Sequence, residues 1–404
     1  MRRVVVTGIG VLSAIGKNRT EFEQSLREGR CGMAPLTDPA HREFRFSNGA
    51  EVPAFNPADH FSLKEADMID RFAQFAVVAA REAVVHSGIE WTSDLRENSA
   101  IVTGSCIGGQ STEDKGFFDV YKMGKPRVHP MTIPKTMANG GASAISLEFG
   151  ITGPTFTIAT ACSSSAHAIG QAFHMVRSGM CDVAIGGGSE APFSYGVLKA
   201  WEAMRVVSPD VCRPFSRNRN GMILGEGAAM LVIESFDHAQ ARGARPIAEI
   251  AGFGMSSDAH HITQPSAEGA AKAIRMALKD GGIAPEQVGY VNAHGTGTLV
   301  NDPTETRALH LAFGDHAKRL AISSTKAMHG HTLGAAGAIE STAAILALST
   351  GILPPTINFT EPDPDCDLDY IPNKSREASV EYVLSNSFAF GGLNAVLAFK
   401  YMGR

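Results

Sequence analysis

The 404-residue sequence has no Cys-x-x-Cys pair, no dense basic run and no long apolar stretch free of charge. Its six cysteines, at 31, 106, 162, 181, 212 and 366, are scattered. That pattern points to reduced thiols in the cytoplasm and away from a disulfide frame or a zinc site. With 36 Lys and Arg against 41 Asp and Glu, the net charge of −5 gives no case for nucleic acid or an anionic membrane as partner. The most apolar stretch, 335–348, is interrupted by Glu340, which argues against a membrane span. The opening Met1-Arg2-Arg3 leads into an apolar run too soon broken by glycine to be a signal sequence.

Glycine, by contrast, is plentiful at 42 residues, and many follow short apolar runs where a chain leaving a buried strand must turn. Strand-like runs alternate with helical patterns throughout, the signature of an α/β protein. Strands are expected at 4–7, 100–104, 182–185 and 228–234, with a long helix over 69–87. Residues 111–134 read as an excursion that shapes a mouth or an interface. After a short helix and hinge at 237–243 the pattern begins again: strands at 247–252, 288–293, 320–323 and 394–401, helices at 269–280, 304–313 and 333–349. Two related halves, 1–243 and 244–404, are therefore expected, which would bring two helix starts together.

Four stretches carry chemistry. In Thr160-Ala161-Cys162-Ser163-Ser164, a cysteine stands between a strand-like run and a helical pattern. At a helix start, unpaired N–H groups and the helix dipole favour a thiolate, the nucleophilic form. The alternative is a buried cysteine that acts only as a small hydrophobe. Asn292-Ala293-His294-Gly295-Thr296-Gly297-Thr298 ends a strand and holds a histidine at a sheet edge, where α/β proteins gather ligands. Ser323-Ser324-Thr325-Lys326-Ala327-Met328-His329-Gly330-His331 lies between a strand and a helix. Asn386-Ser387-Phe388-Ala389-Phe390-Gly391-Gly392 reads as a late loop offering an apolar wall and backbone donors. The histidines at 294, 329 and 331 lack a His-x-x-x-His pair, so no metal centre is expected.

Together these motifs resemble those of the elongating β-ketoacyl-acyl-carrier-protein synthases, the condensing enzymes of fatty acid and polyketide synthesis. The resemblance runs from Val4 to Phe399. It implies the thiolase-like fold, duplicated halves in a five-layered α-β-α-β-α sandwich. It assigns Cys162 as nucleophile, His294 and His331 as the decarboxylating pair, and Lys326 as a buried companion with Glu305 its candidate partner. Asp302 would support the same network, and the backbone N–H groups of Cys162 and Phe390 would form an oxyanion hole, with Phe390 as gate. The reaction implied is decarboxylative Claisen condensation of a cysteine-bound acyl chain with malonyl-acyl-carrier protein. The partners implied are an acyl carrier protein and a second subunit, identical or homologous, paired through the strand before the nucleophile. No cofactor is implied, apart from a structural monovalent cation near Asn292, Glu340 and Asn386.

The sequence departs from the family pattern at several points. Ala389 replaces a motif glycine, which is expected to stiffen the gate. In the acyl pocket Ile107 resembles the residue of long-chain synthases, whereas Trp201 fills a place usually held by a smaller aromatic, so altered chain selection is expected. The basic carrier-docking cluster is thin: Lys64 and Arg71 remain, Asp67 and Met68 intervene, and Arg205 matches a basic family position. These departures keep a specialised polyketide, polyene or signal-lipid pathway as the alternative to fatty acid elongation. A degradative thiolase would need a late motif cysteine, and Cys366 lies outside any motif. A non-catalytic chain-length subunit would lack the nucleophile.

Overall fold

The computed structural model describes Met1–Gly403, so Arg404 of the expected second half lies outside the described residues. Ten strands form two mixed arrays of the same topology. The first contains β1 (Val4–Ser13), β2 (Ser99–Gly104), β3 (Thr155–Ile158), β4 (Val183–Glu190) and β5 (Gly227–Ser235), in spatial order β3-β2-β4-β5-β1. The second contains β6 (Ala248–Ser257), β7 (Val288–Asn292), β8 (Ala321–Ser323), β9 (Tyr382–Ala389) and β10 (Leu393–Tyr401), in order β8-β7-β9-β10-β6. In the first array β1–β5 and β5–β4 are antiparallel, while β4–β2 and β2–β3 are parallel. The second array repeats this pattern at β6–β10, β10–β9, β9–β7 and β7–β8. The two arrays meet edge to edge where Val5 and Val6 pair with Glu249 and Ala248.

Helices cover both arrays and fill the space between them. On the outside of the first lie α1 (Arg71–Ser87) and α2 (Gly140–Phe149), packed through Phe72, Phe75, Ala76 and Ile145. Outside the second lie α4 (Ala267–Gly281) and α5 (Asn301–Phe313). Between the arrays run α3 (Ser164–Ser178) and α6 (Ala336–Thr350), whose side chains share one core with β1, β5, β6 and β10. This is the expected five-layered thiolase-like architecture. It also explains why β1, β2, β4, β5 and β9 are buried along their whole length, since helices lie on both faces. The run Leu333–Thr350, apolar and long enough to cross a membrane, is instead 89% buried as the central layer.

The two central helices touch at their starts. A side chain at Gly337 would sit 2.7 Å from Ala166, so only glycine lets α6 approach α3 this closely. Ser165 Oγ accepts the Ala338 N–H at 2.9 Å across the contact. Several elements depart from the sequence expectation, the helix Tyr195–Met204 among them. A helix spans Gln110–Tyr121 within the supposed excursion, α2 was not anticipated, and the late "loop" motif is largely the strand β9. Gln110–Tyr121 buries none of its residues, so Phe117, Phe118 and Tyr121 face outward and no core-facing period shows. In β9 the run Ser385, Asn386 and Ser387 is polar yet fully enclosed, which hides a strand from any hydrophobic pattern.

Candidate active site

After β3 the chain makes a tight elbow into α3. Ala161 adopts a left-handed φ of 50°, a conformation costly for a residue with a side chain. The neighbouring hydroxyls hold the turn. Ser164 Oγ donates to Ala161 O at 2.6 Å and accepts the Thr160 N–H at 2.9 Å, while Ser163 Oγ reaches Thr160 O and, from the other half, Leu393 O at 2.9 Å. The elbow presents Cys162 to a cavity of about 330 Å³ that His294, His331 and Phe390 also line.

Burial pushes the Cys162 thiol up to about 11, while Lys326 and the backbone N–H groups of Phe390 and Cys162 pull it down only in part. The sequence expectation of a resting thiolate at a helix start is therefore corrected. Desolvation outweighs the donors, and the sulfur rests as a thiol.

His294 leaves the end of β7. Glu305 on α5 accepts the N–H groups of His294 and Gly295 at 2.9 and 2.7 Å, and an amide N–H of Asn386 at 3.1 Å. Asp302 accepts from Phe215 N at 2.7 Å, Gly297 N at 3.2 Å and the Asn301 side chain at 3.1 Å. These carboxylates fix the glycine-rich loop that carries His294, and burial raises both their pKa values.

Lys326 is fully buried, and its partner is Glu340, not Glu305: the Nζ lies 2.5 Å from Glu340 Oε1. Glu305 already serves three N–H groups and is spent on the loop. The Lys326 ammonium also donates to the His294 carbonyl at 2.6 Å and faces His294 Nδ1 at 3.3 Å. An ammonium has only donors, so His294 Nδ1 is the acceptor and the ring proton sits on Nε2. His331 is set the same way, because its Nδ1 accepts the Leu333 N–H at 3.3 Å. Burial and the nearby Lys326 hold both imidazoles well below their usual pKa, so both are neutral. Their rings meet edge to face with centroids 5.4 Å apart.

Phe390 stands where β9 gives way to a tight turn, stacked on Trp201 at 6.3 Å and 36% exposed. Ala389 has an ordinary extended backbone, φ −103°, so alanine fits this position without strain, and the positive φ values fall on Gly391 and Gly392. Trp201 lines the cavity, but Ile107 does not. It packs, as Trp201 and Phe193 also do, against the buried cluster that contains Leu198. Arg71, expected at a docking surface, instead forms a two-pronged pair with the buried Glu226 at 2.6 and 2.8 Å, its guanidinium over Phe75. Lys64 and Arg205 are exposed.

Two carboxylates escaped their roles in the sequence reading. Glu190 is fully buried and accepts from Ser105 Oγ, Cys106 N and Gly334 N at 2.8 to 3.0 Å, tying the turn after β2 to the segment just before α6. Glu340 was expected beside a cation rather than beside Lys326. A lone acid in an otherwise apolar helix was the available signal for a buried pair.

Comparison with known proteins bears on this arrangement. The family model for "Beta-ketoacyl synthase, N-terminal domain" matches residues 1–239, and that for the C-terminal domain matches 247–360. The chain is 45% identical over 401 residues to "Nodulation protein E" of Rhizobium sp. (strain N33), covering 99% of each. It is 42% identical to "3-oxoacyl-[acyl-carrier-protein] synthase 2" of Coxiella burnetii, covering 98% of each. Among solved structures, "The ishigamide ketosynthase/chain length factor" superposes with a TM-score of 0.94 at 39% identity over the whole of both chains.

Proposed function

The chain belongs to the β-ketoacyl synthase family, and we propose that it uses Cys162, His294 and His331 to condense an acyl chain with malonyl-acyl-carrier protein. Cys162 Sγ attacks the acyl thioester carbonyl. The Cys162 S–H proton ends on the departing carrier sulfur, which leaves as a thiol, so the balance is one thioester broken and one formed. The malonyl thioester then loses carbon dioxide, and the electron pair left behind places negative charge on its thioester oxygen. The Nε2–H groups of His294 and His331 meet that oxygen. The carbanion attacks the acyl carbonyl, whose oxyanion the Cys162 and Phe390 N–H groups receive. Collapse releases the β-ketoacyl carrier product and returns the Cys162 sulfur, which takes up one proton.

The observation that carries this reading is how the two rings are held. Lys326 Nζ and the Leu333 N–H occupy the Nδ1 atoms of His294 and His331, which leaves the Nε2–H as the free donor on two residues that line the Cys162 cavity. Replacing either histidine by alanine is expected to slow decarboxylation by about 10²-fold or more while acyl-Cys162 still forms, read by intact mass. Equal loss of both steps would refute the assigned roles.

Asn292 Oδ1, Asn386 Oδ1, Ser387 Oγ and Glu340 Oε2 are buried without a hydrogen-bond partner among the described residues. An all-oxygen set of this kind suits a hard cation, which would hold α6 against β7 and β9 through Glu340 Oε2 while Oε1 stays with Lys326. The second subunit, a copy or a homologue, would pair along β3, a four-residue edge strand with Phe156 exposed. Six free thiols fit the cytoplasm. The indole of Trp201 stacked on the gate favours a specialised acyl chain as the second reading. Acyl adducts from carrier substrates of graded length would separate the two.

A further inference from the structure

The cavity holding Cys162 opens through an apolar lip. Ile262, Val300, Met204 and Phe390 line it and remain 75%, 52%, 41% and 36% exposed, and Leu299 beside Val300 is 66% exposed. Large apolar side chains scattered singly need no explanation, but four lining one opening, with a fifth next to them in the chain, do. The basic groups that a charge-steered partner would need are elsewhere or engaged. The helix Leu63–Met68 contributes nothing to the lining, and its Lys64 is followed by Glu65 and Asp67. Arg71 is locked to Glu226, and Arg307 turns its guanidinium toward Thr304 Oγ1. Arg205, exposed at the left-handed end of the helix Tyr195–Met204, stands at the lip with no acidic partner among the described residues.

A thioester carried on a tethered arm reaches the Cys162 sulfur through this opening, so the body of its carrier covers the lip while the arm is inside. We propose that Met204, Ile262, Leu299 and Val300 form the carrier-docking surface, meeting an apolar helix face of the acyl carrier protein, with Arg205 as the one charged anchor. This inference rests on the condensing reading above. It makes docking chiefly a matter of apolar burial, which salt does not screen, instead of a basic patch, which salt does.

The test compares kcat/KM for malonyl-acyl-carrier protein with that for malonyl-N-acetylcysteamine, a thioester without a carrier. In the full-length Ile262→Gln/Leu299→Gln variant the carrier-to-small-thioester ratio is expected to fall by about ten-fold or more. In Lys64→Ala it should change by less than about two-fold. Raising NaCl from ~50 to ~500 mM should change the wild-type ratio by less than about three-fold. An unchanged ratio in the double variant, or an equal fall in Lys64→Ala with steep salt dependence, would overturn the apolar docking surface. A wild-type protein that condenses neither thioester would overturn the condensing reading itself, and the docking surface with it.

Discussion

Replacing Lys326 by methionine keeps the side-chain length and removes the charge from a fully enclosed site. Its partner Glu340 is also 0% exposed, and the 2.5 Å contact is what compensates its charge. Breaking one side of a buried pair costs about 3–5 kcal/mol, because the remaining charge has neither water nor partner. Unfolding entropy near 2.1 cal/mol/K per residue gives roughly 0.85 kcal/mol/K for a chain of this length, so the melting temperature should fall by about 4–6 °C. The deficit should depend on pH. Burial already pushes the Glu340 carboxyl up to about 7 against Lys326, and loss of the ammonium raises it further. A carboxyl raised on folding binds protons that the unfolded chain has released, so stability falls as pH rises from the unfolded value through the folded one. Lys326→Met should therefore melt close to wild type near pH 5 and fall progressively behind toward pH 8. Adding Glu340→Leu should recover most of the loss. Calorimetry at several pH values measures all three. A pH-independent deficit, or no recovery in the double variant, would show that the pair does not hold this site together.

The Cys162 thiol, raised to about 11, should react with iodoacetamide at a rate climbing about ten-fold per pH unit between pH 7 and 10. Lys326→Met should shift that profile upward, and a plateau below pH 9 in the wild type would refute the burial argument. Arg71→Met leaves Glu226 enclosed without its cation and should cost about 2–3 kcal/mol of stability, while KM for the carrier substrate stays at the wild-type value. A raised KM without destabilisation would restore Arg71 to the docking role that the sequence suggested.

The repeat of strand, helix and strand across the two halves was legible because it rests on local patterns. Short Val- and Ile-rich runs such as 4–6 and 183–185 end in glycine or enter helices with one apolar face, and neither signal needs a partner elsewhere in the chain. The missed elements fail that test in two opposite ways. Helix Gln110–Tyr121 turns Phe117, Phe118 and Tyr121 outward, so its apolar residues have no face to share with the core. Strand β9 buries Ser385, Asn386 and Ser387, so its polar residues do not mark a surface. In both, the tertiary surroundings reverse the meaning of hydrophobicity.

The site shows a sharper limit. Cys162, His294 and His331 could be picked from their motifs, yet what each of them is depends on neighbours that no motif spacing specifies. The thiol state of Cys162 follows from enclosure by the late strand and its turn, against which the helix start alone is too weak. The donor state of His294 follows from Lys326, and Lys326 lies in the core against Glu340, one turn into a helix whose other buried residues are Gly, Ala, Ile, Leu, Ser341 and Thr342. Because Glu305 is occupied by backbone N–H groups, Glu340 alone supplies the negative charge in contact with that ammonium. The central helix α6 therefore does two jobs with one residue. Its close approach at Gly337 sets the distance between the halves, and its Glu340 fixes, through Lys326, which nitrogen of His294 carries the proton. A change on α6 that leaves every motif intact should still alter the chemistry at Cys162.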